Sequence, residues 1–294
     1  MLLSAGLDTS IIASIASKYR SLKAITVAFQ NTPAPDTKYA VLIAKKFGFE
    51  HIIHTFNINQ LYDALPIVIK AMKSFDPMEI RNSVVICIGL KVAKENGIRT
   101  ILTGDGADEL FAGYSYLFNY EKEKLDMELK KLSSIMSFSS ILLAKELGME
   151  AKIPFLDPNV KKFALKLDSQ FKIHSKNGQM IGKWILRKAF ENILPDTIVW
   201  RVKTPIEMGS GTFILPNFFN LKISDNQFQK KKKEYLTKDA VIIRNKEQLF
   251  YYEIYRSEIG VPQPIDKVGK ICPQCNSNVE KKATYCRTCG AYPI

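Results

Sequence analysis

Over its first hundred residues the chain alternates short β-rich runs with longer helical patterns, and this alternation limits the fold more than any other feature. Residues 24–29 (Ala-Ile-Thr-Val-Ala-Phe), 50–55 and 99–103 read as strands. Residues 9–20, 36–47, 58–73 and 82–96 carry apolar side chains at helical spacing, with Lys and Glu on the other side. Such alternation builds βαβ units, so the expected class is α/β, a parallel sheet flanked by helices.

From about residue 120 the strand signals vanish. Residues 121–147, 159–167, 181–192 and 246–258 read as helices. Asp157 before Pro158 is a strong helix start, with Asp as N-cap and Pro at the first helical position. Residues 203–225 are rich in Thr, Pro, Gly and Ser and read as a loop; residues 257–270, with two prolines and two glycines, read as a linker. The dense run Lys230 to Lys233 reads as a solvated helix or loop. The expected organisation is a main domain over 1–256, a linker over 257–270 and a cysteine-bearing module over 271–294.

At 294 residues, with 46% apolar and 24% charged side chains, the chain can bury a core and is neither disordered nor fibrous in composition. No uncharged apolar stretch approaches the roughly 20 residues needed to cross a bilayer. The longest, Val84 to Leu90, stops at Lys91, and Asp8 falls where the apolar part of a signal peptide would sit. A cytoplasmic protein without a membrane partner is expected. The net charge of +13 is spread out, because residues 266–294 hold five basic against two acidic side chains. A spread excess permits a nucleic-acid partner but fits phosphate-handling chemistry equally well.

Two segments carry the chemistry. The first is Ser4-Ala5-Gly6-Leu7-Asp8-Thr9-Ser10, between Leu2-Leu3 and a helix starting near Thr9. A short strand, a small-residue turn and a helix N-terminus form an anion site, because free N–H groups and the positive helix end point into the turn. The Ser4, Thr9 and Ser10 hydroxyls can donate to phosphate, and Asp8 can hold a magnesium ion. It is not a Walker loop, since the Gly-Lys-Ser/Thr ending is absent. On this segment alone, a plain capped helix after a turn fits as well.

The second runs from Gly104-Asp105-Gly106-Ala107-Asp108-Glu109 to Gly113-Tyr114, directly after the strand at 99–103. Three carboxylates in five positions at a strand's C-terminal end suit a divalent cation bridging a triphosphate. A calcium loop would need a glutamate at its twelfth position and flanking helices, which are missing. Crowding the carboxylates together without a cation would be electrostatically costly.

Four of the five cysteines lie at the C-terminus, as Cys272-Pro273-Gln274-Cys275, a ten-residue gap, and Cys286-Arg287-Thr288-Cys289. Two such pairs supply four thiolates for a tetrahedral, structural zinc. A cytoplasmic chain disfavours disulfides, and so short a module depends on metal to fold. Cys87, inside an apolar run, reads as a small buried hydrophobe. His51 and His54 fall on opposite faces of a strand and His174 is isolated, so all three read as structural.

Taken together, these segments resemble the synthetase domain of the glutamine-dependent asparagine synthetases, within the PP-loop ATP pyrophosphatase family, whose loop reads S-G-G-x-D-S. The likeness runs through most of residues 1–215. It includes Glu150-Ala151-Lys152-Ile153-Pro154-Phe155-Leu156-Asp157, similar to the family's E-A-R-x-P-F-L-D. It also takes in Lys183-Trp184-Ile185-Leu186-Arg187, Leu194-Pro195 and Trp200-Arg201-Val202-Lys203. The resemblance implies a PP-loop, adenine nucleotide alpha hydrolase-like sheet followed by a helical region and the small zinc ribbon. Three departures stand out. Ala5 replaces the second loop glycine, so either that position does not need φ > 0 or phosphate affinity is reduced. Only three residues precede Ser4, which a start codon set too far downstream would explain. The family's N-terminal glutaminase, whose nucleophilic cysteine directly follows the initiator Met, is expected to be lacking, since residue 2 here is Leu.

The implied reaction is attack of a carboxylate, aspartate in the family, on the α-phosphorus of ATP, loss of pyrophosphate, and capture of the acyl-adenylate by ammonia. By the resemblance, Ser4, Gly6, Asp8, Thr9 and Ser10 cradle pyrophosphate, with Gly104 and Asp105 beside them. Asp8 and Asp108 hold magnesium, the backbone near Val27 and Phe29 reads adenine, and Arg81 binds nucleotide or substrate. Lys203 supplies charge to the developing phosphorane, and Glu150 collects the ammonium proton. Taken without the resemblance, Lys203 and Glu150 read as surface residues. The ammonia is free or comes from a separate glutaminase subunit or another nucleophile. The ribbon could dock a protein, grip RNA or shield the site. Two other functions stay open: a PP-loop tRNA-modifying enzyme of thiolation type, favoured by charge and ribbon but short of a cysteine pair, and a degenerate ATP-binding scaffold, favoured by Ala5.

Overall fold

The computed structural model describes residues 1–266 and 268–294. The elements are helix α1 (Leu7–Ala16), strand β1 (Lys23–Phe29), α2 (Asp36–Phe47), β2 (Glu50–Phe56), α3 (Ile58–Met72), α4 (Pro77–Glu95) and β3 (Thr100–Leu102). Then come α5 (Ala107–Leu110), α6 (Lys122–Ile135), α7 (Ser139–Glu146), β4 (Glu150–Lys152), α8 (Pro158–Lys166), β5 (Ile173–Lys176) and β6 (Gln179–Gly182). The remaining α-helices among the described residues are α9 (Trp184–Phe190), α10 (Asp196–Val199), α11 (Ile206–Ser210), α12 (Leu215–Lys222), α13 (Asp225–Asp239) and α14 (Lys246–Glu258). Among the described residues, no helix is long and apolar enough to cross a membrane.

The chain divides into two compact units. One comprises Met1–Thr26, Pro35–His54 and Val92–Pro205; the other comprises Val27–Ala34, Thr55–Lys91 and Ile206–Ile294. In the first, residues 1–3 link two strands. The Leu2 N–H donates to Leu102 O at 3.0 Å, and the Leu3 N–H to Ile25 O at 2.8 Å. Leu2 thereby bridges Ile25 in the parallel sense. On the far side β3 pairs with β4, also parallel, Thr100 opposite Glu150 and Leu102 opposite Lys152. The spatial order is β2, β1, residues 1–3, β3, β4. Met1, Leu3 and Ala5 are buried in one core with Ile11, Leu110, Phe111, Phe155 and Ile198. Burying this apolar surface ties the opening turn to the loop after β3.

The second unit packs α14 against α3 and α12. Its centre is aromatic: Phe75 meets Tyr252 at 5.0 Å and Tyr255 at 5.1 Å, both edge-on.

Several expectations are corrected. Strands do not end at residue 120. β4 (Glu-Ala-Lys) is too short and polar to show a strand pattern, and β5–β6 is an antiparallel hairpin closed at Lys176–Gln179. Its turn, Asn177-Gly178, has φ 52° and 78°, the two left-handed positions a tight hairpin needs. That hairpin takes the start of the helix expected over 181–192, so α9 begins only at Trp184. The helix expected over 121–147 breaks at 136–138, where Met136 and Phe138 turn extended (ψ 129° and 128°). The loop expected over 203–225 contains α11 and α12, the latter with proline in its first turn. Lys230–Lys233 lie on α13. The linker reading of 257–270 includes Lys267, which lies outside the described residues.

Candidate active site

The turn at the start of α1 is built from its own small side chains. Ala5 adopts φ 50°, so this position does take the left-handed region, and it does so with an alanine. Its methyl is fully buried. Gly6 caps α1 without any side-chain hydrogen bond, leaving the first-turn N–H groups to the turn's own concavity. Ser4 Oγ accepts from the Gly6 N–H at 3.3 Å and lies 3.2 Å from Thr9 Oγ1. Ser10 faces inward, and its hydroxyl is buried without a hydrogen-bond partner among the described residues.

The loop after β3 comes directly against this turn. A Cβ on Gly104 would lie 2.9 Å from Thr9 Cγ2 and 3.1 Å from Asp8 Cβ, so only glycine allows the approach. The structure brings Asp8 and Asp108 to one cation: Lys183 Nζ is 2.6 Å from Asp8 Oδ2 and 2.7 Å from Asp108 Oδ1. Lys203 Nζ reaches the other oxygen of Asp108 at 2.9 Å and lies 3.9 Å from the centre of the Tyr114 ring. Gly113 leaves room for this arrangement, since a Cβ there would fall 1.8 Å from Asp108 Oδ1 and 2.4 Å from Lys183 Cε.

Burial raises the Asp8 carboxyl above its ordinary pKa, against the pull of Lys183. It works on Asp108 in the same direction, but Lys183 and Lys203 outweigh it and hold Asp108 below the usual value. Burial also disfavours the Lys183 ammonium, yet the two carboxylates hold its pKa above the ordinary one. Burial works against the charges of Asp8, Asp108 and Lys183, and each is countered by the opposite charge beside it.

Lys183 stands at the entrance of α9 with φ 56°, and its N–H donates to Phe111 O at 3.0 Å. Arg187, one turn on, is buried and donates to Gly182 O at 2.9 Å, to Arg201 O at 3.2 Å and to Val199 O. Arg201 pairs with Asp36 at 2.6 Å and also reaches the carbonyls of Ser4 and Ala5 at 3.4 and 3.3 Å. The two basic residues thus lash the 199–203 segment to the opening turn. Sequence reasoning assigned no role to Lys183, Arg187, Arg201 or Gly113. The signal for the three basic residues is that they lie in the two segments, 183–187 and 200–203, that resemble the family.

The other expected site residues have partners of their own. Glu150 is not brought to the Asp8–Asp108 cluster. It starts β4 opposite Thr100, whereas the loop leaves the other end of β3; its carboxylate is 60% exposed and accepts from Thr100 Oγ1 at 3.1 Å. Asp105 accepts from Thr103 Oγ1 at 2.9 Å and from Ser140 Oγ, and burial raises its pKa against both. Glu109 accepts from the Tyr114 hydroxyl. Val27, Phe29 and Arg81 belong to the second unit. The two strand residues are buried, and the Phe29 carbonyl accepts from Thr32 Oγ1 at 2.8 Å. Arg81 is held by Glu207 at 2.9 Å and Glu247 at 2.7 Å.

His51 Nε2 lies 2.8 Å from Thr26 Oγ1, which donates to Leu3 O, and His174 stacks on Trp184 at 4.3 Å. Cys87 is fully buried, and burial pushes its thiol up to about 11, which leaves it unreactive.

The four C-terminal cysteines are buried, with all four sulfurs within 4.8 Å of one another. Cys272 and Cys289 are 3.7 Å apart, as are Cys275 and Cys286. Four sulfurs about 2.3 Å from a central zinc would be separated by about 3.8 Å, so the group has the dimensions of a tetrahedral metal site.

The sequence matches the family described as Asparagine synthase over residues 1–144 and 142–242. A probable asparagine synthetase [glutamine-hydrolyzing] of Dictyostelium discoideum is 29% identical over 287 residues, covering 85% of this chain and 51% of the relative. Another, of Schizosaccharomyces pombe, is 31% identical over 308 residues, covering 93% and 54%. A nodule asparagine synthetase [glutamine-hydrolyzing] of Pisum sativum is 30% identical over 231 residues, covering 72% and 39%. The chain therefore spans about half the length, or less, of these curated relatives.

Proposed function

This chain belongs to the asparagine synthase family, and from that premise we propose that it is an ATP-dependent ligase that adenylates a carboxylate, aspartate first among them, and amidates it with ammonia. The observation that carries the reading is the single Lys183 ammonium lying against both Asp8 and Asp108. It gathers an anion-binding turn and an acidic loop at one point.

In this reading a substrate carboxylate oxygen bonds to the α-phosphorus of ATP as the bond to the bridging oxygen breaks and pyrophosphate leaves. Ammonia, free or delivered by a glutaminase, then adds to the acyl carbon, AMP departs, and the surplus proton passes to solvent. Positive charge on Lys203 and Lys183 favours the charge that builds on the leaving pyrophosphate. Gly6 and Gly104, the open N–H groups of α1 and the Ser4 and Thr9 hydroxyls receive its oxygens. Ser10, Asp105, Arg81 and the backbone at Val27 and Phe29 are carried as nucleotide-binding residues on the resemblance alone. Glu150 is assigned no step, because its exposed carboxylate is engaged by Thr100 and Lys152.

Asp8 and Asp108 would hold magnesium; Asp8 Oδ1, buried with no hydrogen-bond partner among the described residues, suits an oxygen-ligated cation. Magnesium, when bound, neutralises phosphoryl charge. Cys272, Cys275, Cys286 and Cys289 would hold a structural zinc, which their sulfur spacing fits. The accompanying organisation is a synthetase-type domain over 1–256, a linker over 257–270 and a zinc ribbon over 271–294, in a cytoplasmic protein.

The test is pyrophosphate release from ATP and magnesium across a panel of carboxylic acids, each supplied with ammonia or with glutamine. Release confined to aspartate plus ammonia, with AMP formed in equal amount, is the expected result. Tight ATP binding with no release for any acid would overturn the reading.

A further inference from the structure

The cysteine tail lies against two helix starts of its own unit. Approaching α4, Ser74 Oγ donates to Arg287 O at 2.7 Å and the Phe75 N–H to Thr288 O at 2.7 Å. Approaching α14, Gln248 Nε2 donates to Cys289 O at 2.7 Å and Arg244 Nη1 to Gly290 O at 2.7 Å. The fit is close, since Gly290 has φ 74° and a Cβ there would sit 2.2 Å from Asp76 Oδ1. The first cysteine pair is tied in as well: the Ile242 N–H donates to Gln274 O at 2.8 Å, and Asn276 Nδ2 to Ala240 O at 3.0 Å. Carbonyls 287–290 are therefore taken up by the chain's own body, which argues against a ribbon held out to grip RNA or a protein through that face.

The two helix starts meet one turn further in. Arg81, on α4, is 2.7 Å from Glu247 at the start of α14 and 2.9 Å from Glu207 of α11. The neighbouring Asn82 Oδ1 accepts the Glu207 N–H at 3.1 Å. The Tyr251 hydroxyl completes the group by donating to Glu247 Oε1 at 3.0 Å. Glu247 is 3% exposed and Arg81 13%, so the network depends on staying assembled. Glu207 follows Lys203 by four residues.

We propose that the four-cysteine tail is an internal clasp: loaded with metal, it holds the starts of α4 and α14 together around Arg81 and so anchors Glu207 of α11. The proposal rests on the zinc reading of the four cysteines. Four thiolates cannot stay in one pocket without a cation, so metal loss opens the tail. Ser74, the Phe75 N–H, Gln248 and Arg244 then lose their carbonyl partners. The α4 start is no longer pinned opposite Glu247, and the hold on Glu207 through Arg81 and Asn82 loosens.

The experiment is hydrogen exchange read by mass spectrometry on the full chain, zinc-loaded and after chelation, with metal content measured on the same samples. We expect exchange at residues 74–82 and 206–210 to rise about tenfold on zinc removal, the size that loss of one or two buried hydrogen bonds produces. Exchange in α1 should stay unchanged. A rise confined to residues 271–294 would overturn the proposal. Should chelation unfold the whole chain, Arg244→Ala/Gln248→Ala decides the matter, because it keeps all four cysteines. At full zinc content it must still raise exchange at 74–82 and 206–210, and unchanged exchange there rejects the clasp. Neither readout depends on the reaction catalysed, so failure of the ligase reading would appear separately, in the pyrophosphate assay.

Discussion

Lys183 donates to the Asp8 carboxylate at 2.6 Å across 175 residues of sequence, and the same ammonium sits 2.7 Å from Asp108. One lysine, 5% exposed, thus neutralises the aspartate of the opening turn and that of the acidic loop together. Removing it leaves the Asp8 carboxylate without a cation and Asp108 with Lys203 alone. Lys183→Met is expected to cost about 3–5 kcal/mol in urea denaturation, the loss seen when one partner of a buried ion pair is deleted. Adding Asp8→Asn to that variant should restore part of the loss. Strictly additive losses would mean the two groups do not interact.

Lys203 contributes to the same cluster on different terms. Its side chain is 37% exposed, so its ion pair with Asp108 is solvent-screened. Lys203→Ala should change stability by less than about 1 kcal/mol, yet lower the rate of pyrophosphate release by about 100-fold or more, as loss of one transition-state charge does. Full activity in that variant would reject the role proposed for Lys203.

Gly113→Ala tests the crowding around Asp108. The new methyl would fall 1.8 Å from Asp108 Oδ1, so the carboxylate must move away from Lys183. A loss of about 1–3 kcal/mol, the usual cost of overpacking, should come with weakened ATP binding. Gly97→Ala is the control. It has φ 73° with open space around it, so only the left-handed penalty of about 1–2 kcal/mol applies and ATP binding should persist.

Ala5 balances two opposed effects. Replacing it by glycine relieves a φ of 50° but gives up a fully buried methyl. Backbone strain of about 1–2 kcal/mol and burial of about 0.8 kcal/mol per carbon nearly cancel, so Ala5→Gly should alter the melting temperature little. Ala5→Val adds bulk where there is no space and a branched side chain at a left-handed position. It should be strongly destabilised in the same melt.

Glu247 makes the second unit pH-sensitive. Burial raises its pKa from 4.5 to about 7 although Arg81 pulls the other way. The folded state therefore holds this proton more tightly than the unfolded chain does. The stability it contributes is complete below about pH 4.5 and is lost as the pH rises through about 7, a change of up to about 3 kcal/mol. Glu247→Gln has no proton to lose. Urea midpoints at pH 5 and pH 8 should separate for the native chain and converge for the variant. Equal slopes would show that Glu247 does not titrate in this range.

Much of the architecture was legible because it is written in local pattern. β1, β2 and β3 fall where β-branched runs lie between helical periods, and Asp157-Pro158 opens α8 as expected. The misses share a cause. β4 reads Glu-Ala-Lys, and β5 reads Ile-His-Ser-Lys, so neither carries an alternating apolar face. Their pairing comes from a neighbour, β3 in one case and the hairpin turn in the other. Glu150 belongs to a segment whose likeness was plain, yet the parallel register sets it opposite Thr100, at the end of β3 away from the acidic loop.

The sequence by itself determined the alternation of strand and helix, the small-residue turn before α1, the acidic loop after β3 and the spacing of the four cysteines. Those features depend only on residues a few positions apart. Tertiary structure alone decided that Lys183 stands between Asp8 and Asp108, that Arg201 holds the opening turn, and that the tail's carbonyls are spent on the starts of α4 and α14. Which cation meets which carboxylate is settled by desolvation, and a side chain loses its water only when distant segments close over it.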